Sequence, residues 1–176
     1  LADGFTTECY DGQNFFDTDH PVGEEGNIDS VSNMQAGAGS AWFLLDVSRA
    51  LKPLIYQQRK APDFTSMDDR KDENVFMRKE YLYGVETREN AGFGFWQMAF
   101  GSKGTLNAAN YEAARTAMMS FKDDAGKPLG VNPRLLVVSP SNEGAARRLL
   151  ERDTIDGGNT NEWKGTAELL VCPLLT

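Results

Sequence analysis

The apolar residues of this chain change their spacing near residue 106, and that change limits the fold class more than any other feature. From Asn74 to Val85 five of the six odd positions are apolar or aromatic, Val75, Met77, Tyr81, Tyr83 and Val85 with Lys79 the exception, and Arg78 and Glu80 are among the residues between. A period of two sends alternate side chains to opposite faces of a strand, so this stretch reads as a half-buried β-strand. Gly92–Phe100 carries Phe93, Phe95, Trp96 and Phe100. With a turn over Thr87–Ala91, the two stretches predict a long antiparallel hairpin. Ala41–Val47 and Leu54–Arg59 are short apolar runs of strand length. Beyond residue 106, Tyr111, Ala114, Met118 and Phe121 step by three, four and three, the stripe of an amphipathic helix. Asn107 is placed to cap that helix over Ala108 to about Phe121, with Leu106 and Tyr111 as a hydrophobic staple and Asp123–Gly126 ending it. Leu135–Val138 reads as a buried strand. Ser139-Pro140 reads as the start of a second helix to about Arg152, with Ala145, Ala146, Leu149 and Leu150 inward. A polar loop over 153–165 and a last strand over Ala167–Cys172 follow. Residues 1–40, punctuated by Gly4, Gly12, Pro21, Gly23, Gly26, Gly37 and Gly39, read as loop with short extended pieces around Phe15-Phe16.

The order of elements predicts an α+β fold: a β-rich region over 1–100, then a helix–strand–helix–strand region over 101–176, with the boundary near Gly101–Thr105. The chain is 176 residues long, 40% hydrophobic, with 17 Gly, which is enough to bury a real core. No apolar run approaches the roughly 18 residues of a membrane-spanning helix. Lys and Arg number 18 against 26 Asp and Glu, a net charge of −8, and the basic residues come in pairs such as Arg59-Lys60, Arg78-Lys79 and Arg147-Arg148. A protein that grips phosphates concentrates positive charge, so nucleic-acid recognition and docking to anionic lipid are disfavoured. Cys9 and Cys172 lie near opposite ends without metal-ligand spacing; free thiols are the expectation and a bridge between the ends is the alternative. Residue 1 is Leu, which suggests part of a longer chain, and nothing at the start has the composition of a secretory signal.

Few residues suggest chemistry. Asp17-Thr18-Asp19-His20 puts two carboxylates and the sole histidine within four positions, a set that could hold a divalent metal for hydrolysis. The simpler reading is an Asx turn before Pro21. Gly92-Phe93-Gly94-Phe95 lacks phosphate-loop spacing, and Gly101-Ser102-Lys103-Gly104 sits between elements. Tyr81, Tyr83, Phe93, Phe95 and Trp96 could stack against bases or sugars, although core or interface packing is the commoner use of such residues. The acidic Asp63–Glu73 stretch lacks calcium-loop spacing and reads as a solvated loop. No catalytic, cofactor-binding or metal residues are expected. Abundant aromatics with so few chemical groups describe a surface-contact protein better than an enzyme.

Longer stretches carry a resemblance. Phe16–Pro21, Val31–Asn33, Trp42–Pro62, Asp72–Ser102, RLLVVSP at 134–140 and WKGTAELLVCPLL from Trp163 are together similar to the major head subunit of Mu-like phages and prophages, the T protein family. The resemblance implies a Hong Kong 97-type major capsid fold, here without the N-terminal arm, the extended loop and most of the spine helix. Residues 1–100 would then be peripheral-domain-like and 101–176 axial-domain-like. It implies a structural subunit, not an enzyme, that self-assembles into an icosahedral shell enclosing DNA. The implied partners are other copies of itself, with scaffold, portal and decoration proteins, and neither a specific nucleic-acid sequence nor a membrane. The implied location is the virion, and the bacterial host cytoplasm before assembly. From the residues alone, a metal-dependent hydrolase using Asp17, Asp19 and His20 and a carbohydrate-binding β module on the aromatic hairpin stay open as alternatives.

Overall fold

The computed structural model describes residues 1–154 and 158–175. They fall into two compact units, one of Leu1–Pro53 with Phe93–Thr176 and one of Leu54–Gly92.

The larger unit is built on a five-stranded sheet. Its strands are β3 (Met34–Gln35), β4 (Trp42–Leu45), β7 (Ala99–Ser102), β8 (Leu135–Val138) and β9 (Glu168–Val171), in spatial order β3-β7-β4-β8-β9. β4 is central and antiparallel to both neighbours, Trp42 lying opposite Ser102 on one side and Val138 on the other. The β3–β7 and β8–β9 pairs are parallel. All four residues of β4 are buried. A strand covered on both faces has no polar side to show, which is why Trp42-Phe43-Leu44-Leu45 is an unbroken apolar run.

Helix α2 (Ala108–Met119) buries Tyr111, Ala114 and Met118, the stripe read from the sequence, and Phe121 is buried just beyond it. Asn107 caps it, its side-chain oxygen accepting from the Asn110 N–H at 2.9 Å. Asn107→Ala is expected to lower stability by about 1 kcal/mol, read as a shifted urea midpoint with an unchanged slope. Tyr111 packs edge-on to Trp163 and its hydroxyl lies 2.9 Å from Thr166 Oγ1. Helix α3 (Glu143–Leu150) follows a short 3₁₀ turn at Pro140–Asn142 and buries Ala146, Leu149 and Leu150. Asn161, from the expected polar loop, closes its end by donating to Leu149 O and Arg152 O, both at 2.9 Å. Positions 155–157 of that loop lie outside the described residues.

The first 19 residues contain one short 3₁₀ turn, yet they are tied down. The Phe16 N–H donates to Gly4 O at 2.8 Å and the Phe15 N–H to Thr7 O at 3.0 Å. Phe15 stacks on Phe93 at 4.3 Å, and Phe16 sits between Phe5 and Phe43. Gly101 in β7 makes room for this: a Cβ there would stand 2.8 Å from the Phe16 ring.

Several expectations are corrected. Residues 20–31, read as loop, form an antiparallel hairpin of β1 (His20–Glu24) and β2 (Asn27–Val31). In the smaller unit, β5 runs Leu54–Met67 through the start of the expected acidic loop, and β6 runs Leu82–Phe93 through the expected turn. Between them, Glu73–Arg78 is a helix, α1, where a strand is expected. It suits one: Glu73 stands in its first turn and Arg78 in its last, matching the helix dipole, and Lys79 ends it at φ 55°. Cross-strand contacts run in opposite order along the two strands. Tyr56 bonds Glu89, Lys60 Nζ lies 2.6 Å from Glu86 Oε2, and Phe64 stacks on Tyr83 at 6.0 Å. β5 and β6 are therefore antiparallel. The expected hairpin of 74–85 with 92–100 does not form; the hairpin is β5 with β6, and both of its faces are exposed.

Candidate assembly surface

Unusual exposure marks the Leu54–Gly92 unit. Of eighteen large apolar side chains exposed among the described residues, eleven lie here. Phe76 is 76% exposed, Met77 72%, and Phe64, Tyr81 and Tyr83 at least 60%. A two-stranded hairpin alone in water is marginal, and apolar residues on both of its faces gain nothing from water. Charge is almost balanced along it, seven Lys and Arg against eight Asp and Glu, whereas the rest of the chain carries eleven against eighteen. Dense charge of both signs around aromatic anchors suits contact with another protein surface.

The Asp17-Thr18-Asp19-His20 segment does not converge on one point. The Asp17 carboxylate accepts from Thr18 N at 2.7 Å, Asn14 N at 3.2 Å and Asn14 Nδ2 at 3.1 Å, an Asx arrangement. Burial pushes this carboxyl up, but those hydrogen bonds and the nearby His20 outweigh it and leave it below its ordinary value. Asp19 accepts from Ser30 Oγ at 3.0 Å. His20 turns away to Asp11 and Asn33. Among the described residues, no group of three His, Cys, Asp or Glu is placed to hold a metal. Both cysteines are free, and burial raises the Cys9 thiol above its ordinary value.

The aromatic set also divides. Trp96 and Phe100 are core residues and Phe93 is half-buried against Phe15, while Tyr81, Tyr83 and Phe95 are exposed. Trp96 therefore offers no face to a sugar. Gly101 and Ser102 belong to β7, and Lys103 lies over the Phe5 ring at 4.2 Å, so that glycine pair cradles no phosphate. Sequence reasoning missed Asp46, at the end of β4. It is fully buried and accepts from Ser48 N, Ser48 Oγ and Asn132 N at 2.9, 2.6 and 2.9 Å. No motif announces it, since Asn132 is 86 positions away.

Comparison with known proteins gives these surfaces a context. The family described as Mu-like prophage major head subunit gpT matches residues 1–175. The Mu-like prophage FluMu major head subunit of Haemophilus influenzae (strain Rd) is 50% identical over 163 residues, covering 87% of this chain and 52% of that protein. The major capsid protein of Escherichia phage Mu is 44% identical over 185 residues, covering 99% of this chain and 61% of that one. A solved structure, the procapsid of bacteriophage JBD30, superposes with a TM-score of 0.83 at 46% identity, over 98% of this chain and 60% of its counterpart. The chain thus spans between half and about three fifths of the length of these relatives. Its mixture of strands and helices is the α+β fold of a phage capsid protein. The chain belongs to the Mu-like prophage major head subunit family.

Proposed function

We propose that this chain is part of a structural subunit that assembles with copies of itself into the icosahedral head shell of a phage or prophage, enclosing DNA. One observation carries the reading: the Leu54–Gly92 unit exposes eleven large apolar side chains, eight of them on β5 and β6. A symmetric shell repeats one contact between identical subunits, so a self-complementary apolar surface is the feature it requires. The role is structural and involves no catalysis. The subunit acts in the virion, after a period in the cytoplasm of its bacterial host. Its partners are other copies, with scaffold, portal and decoration proteins meeting the shell. The net charge of −8 opposes tight adhesion of packaged DNA to it. In this reading residues 1–100, with their hairpins, have the peripheral role and 101–176 the axial one, the two meeting in the shared sheet.

The test is Tyr81→Asp with Tyr83→Asp in the full-length subunit. Electron microscopy is expected to show no closed shells, while the folding stability of the subunit changes by no more than about 0.5 kcal/mol, as for exposed sites generally. Shells at the normal yield would refute the reading. The 176-residue chain alone is expected to elute as a monomer or small oligomer, and closed shells formed by it would refute that expectation.

A further inference from the structure

We propose that Arg115 and Arg134 form a carboxylate-binding site that an acidic side chain of a second copy fills on assembly, an inference that rests on the shell-subunit reading. Arg115 lies on α2, and among the described residues it is the one arginine that is not exposed. A cation withdrawn from water needs compensation more than one left in it. Arg49, Lys60, Arg88, Arg147 and Lys164 each have a carboxylate within 4.0 Å. Arg115 and Arg134 have none among the described residues.

Both guanidiniums are braced by uncharged groups. Arg115 Nη1 donates to Pro133 O at 2.8 Å and to Thr166 O at 3.2 Å, in the segments entering β8 and β9. Those bonds use the two hydrogens of Nη1. The hydrogen on Nε and the two on Nη2 have no acceptor among the described residues. Arg134 lines the same cavity, of about 630 Å³, with Asn132, Thr166 and Glu168. With its amide turned to bond, the Asn132 side-chain oxygen accepts from Arg134 Nε at 3.1 Å and Nη2 at 3.3 Å. The Asn132 N–H is itself held by the buried Asp46 at 2.9 Å. Each arginine therefore keeps its charge and spare donors for the cavity, and a planar donor fork matches a carboxylate.

The rest of the site selects the ligand. Glu168 lines the cavity too, exposed and paired with neither arginine. Two arginines and one glutamate leave a net charge of +1, which one carboxylate cancels. A nucleic-acid backbone needs a row of cations, and it would meet Glu168 here on a chain of net charge −8. Asp and Glu outnumber Lys and Arg by 26 to 18, so a neighbouring copy brings more carboxylates than its own cations can pair. A carboxylate from that copy, drawn out of water between two arginines, also fixes the register of the contact.

The site and its occupant are tested separately. Sodium acetate is titrated into the 176-residue chain against sodium chloride at equal ionic strength, and the arginine Nε–H resonances are followed. The Arg115 signal is expected to move to a plateau in the parent and to stay still in Arg134→Glu. Arg147, whose Nε already donates to Glu143 at 2.9 Å, is expected to stay still in both. No movement at Arg115, or equal movement at every arginine, overturns the site. The second arm assembles the full-length subunit without nucleic acid. Arg134 is exposed, so Arg134→Glu is expected to leave the urea midpoint unchanged while the yield of closed shells falls roughly tenfold or more. Arg134→Gln, which adds no charge, is expected to act in the same direction. Shells at the parent yield overturn the second copy as occupant, including the case in which only packaged DNA is then held less well. A parent subunit that forms no shells overturns the shell-subunit reading and this occupant with it, while the acetate titration still judges the site.

Discussion

Replacing Trp96 with alanine is expected to lower folding stability by about 4 kcal/mol, within the range for removing a buried large aromatic. The indole is 1% exposed and packs edge-on to Phe121 at 5.4 Å, beyond the end of α2, while its other face carries His20. Its removal leaves a cavity where three segments meet: the start of β1, the 3₁₀ turn Trp96–Met98 and the chain after α2. Total stabilities of single domains are only about 5–15 kcal/mol, so the variant should be close to unfolding at ordinary temperature. Urea denaturation followed by far-ultraviolet circular dichroism measures this directly. A loss below about 1 kcal/mol would mean that Trp96 is not a core residue.

Asp46→Ala is expected to cost about 3 kcal/mol. Its carboxylate accepts three hydrogen bonds at the point where β4 ends and the chain leading into β8 arrives, and its own N–H donates to Met98 O at 2.8 Å. Alanine keeps the last bond and leaves the Ser48 and Asn132 donors without their acceptor. Asp46→Asn should cost less but still destabilise, since its NH₂ group must face one of those donors. Burial pushes this carboxyl up, but the bonds from Ser48 and Asn132 and the neighbouring Arg49 outweigh it and hold it below the ordinary carboxylate value. The sign of the pH effect follows. The unfolded chain binds the proton more readily than the folded one, so the stabilisation is complete above about pH 4 and is lost as pH falls through the lower folded-state value. The difference in stability between the parent chain and Asp46→Ala should therefore shrink in acid. A gap that stays constant down to about pH 2 would show that the ionised carboxylate is not what matters.

Some of this architecture could be read from residue spacing. Helix α2 was legible because its contacts are made by residues three and four apart, a relation that the chain itself imposes. Asn107 was legible as its cap because the donor it satisfies is only three residues away. β4 and β8 were legible because strands buried on both faces are apolar throughout. The family was legible because whole stretches, such as Trp42–Pro62 and Asp72–Ser102, carry far more information than any spacing rule.

The Leu54–Gly92 ribbon was misread for a physical reason. Alternation reports which face of a strand is buried, and this ribbon buries neither face within the chain. With no buried face, Val75, Met77 and Tyr81 carry no usable phase, and the local fit of Glu73 and Arg78 to a helix dipole prevails. The hairpin at 20–31 was missed for a related reason: β2 has no buried residue to give it a period.

Spacing along the chain was enough for α2 and α3, whose inward residues are near neighbours, and apolar runs were enough to mark β4, β8 and the last strand as strands. Folding in three dimensions alone settled which strands share a sheet and where each buried charge finds its partners. Parallel pairing of β3 with β7, the bonds from Asn132 to Asp46, and the meeting of Asp11, His20, Asn33 and Trp96 all join residues that no periodicity relates. A buried polar group must be satisfied by whatever the tertiary structure brings within about 3 Å, and the chain does not announce that partner in advance.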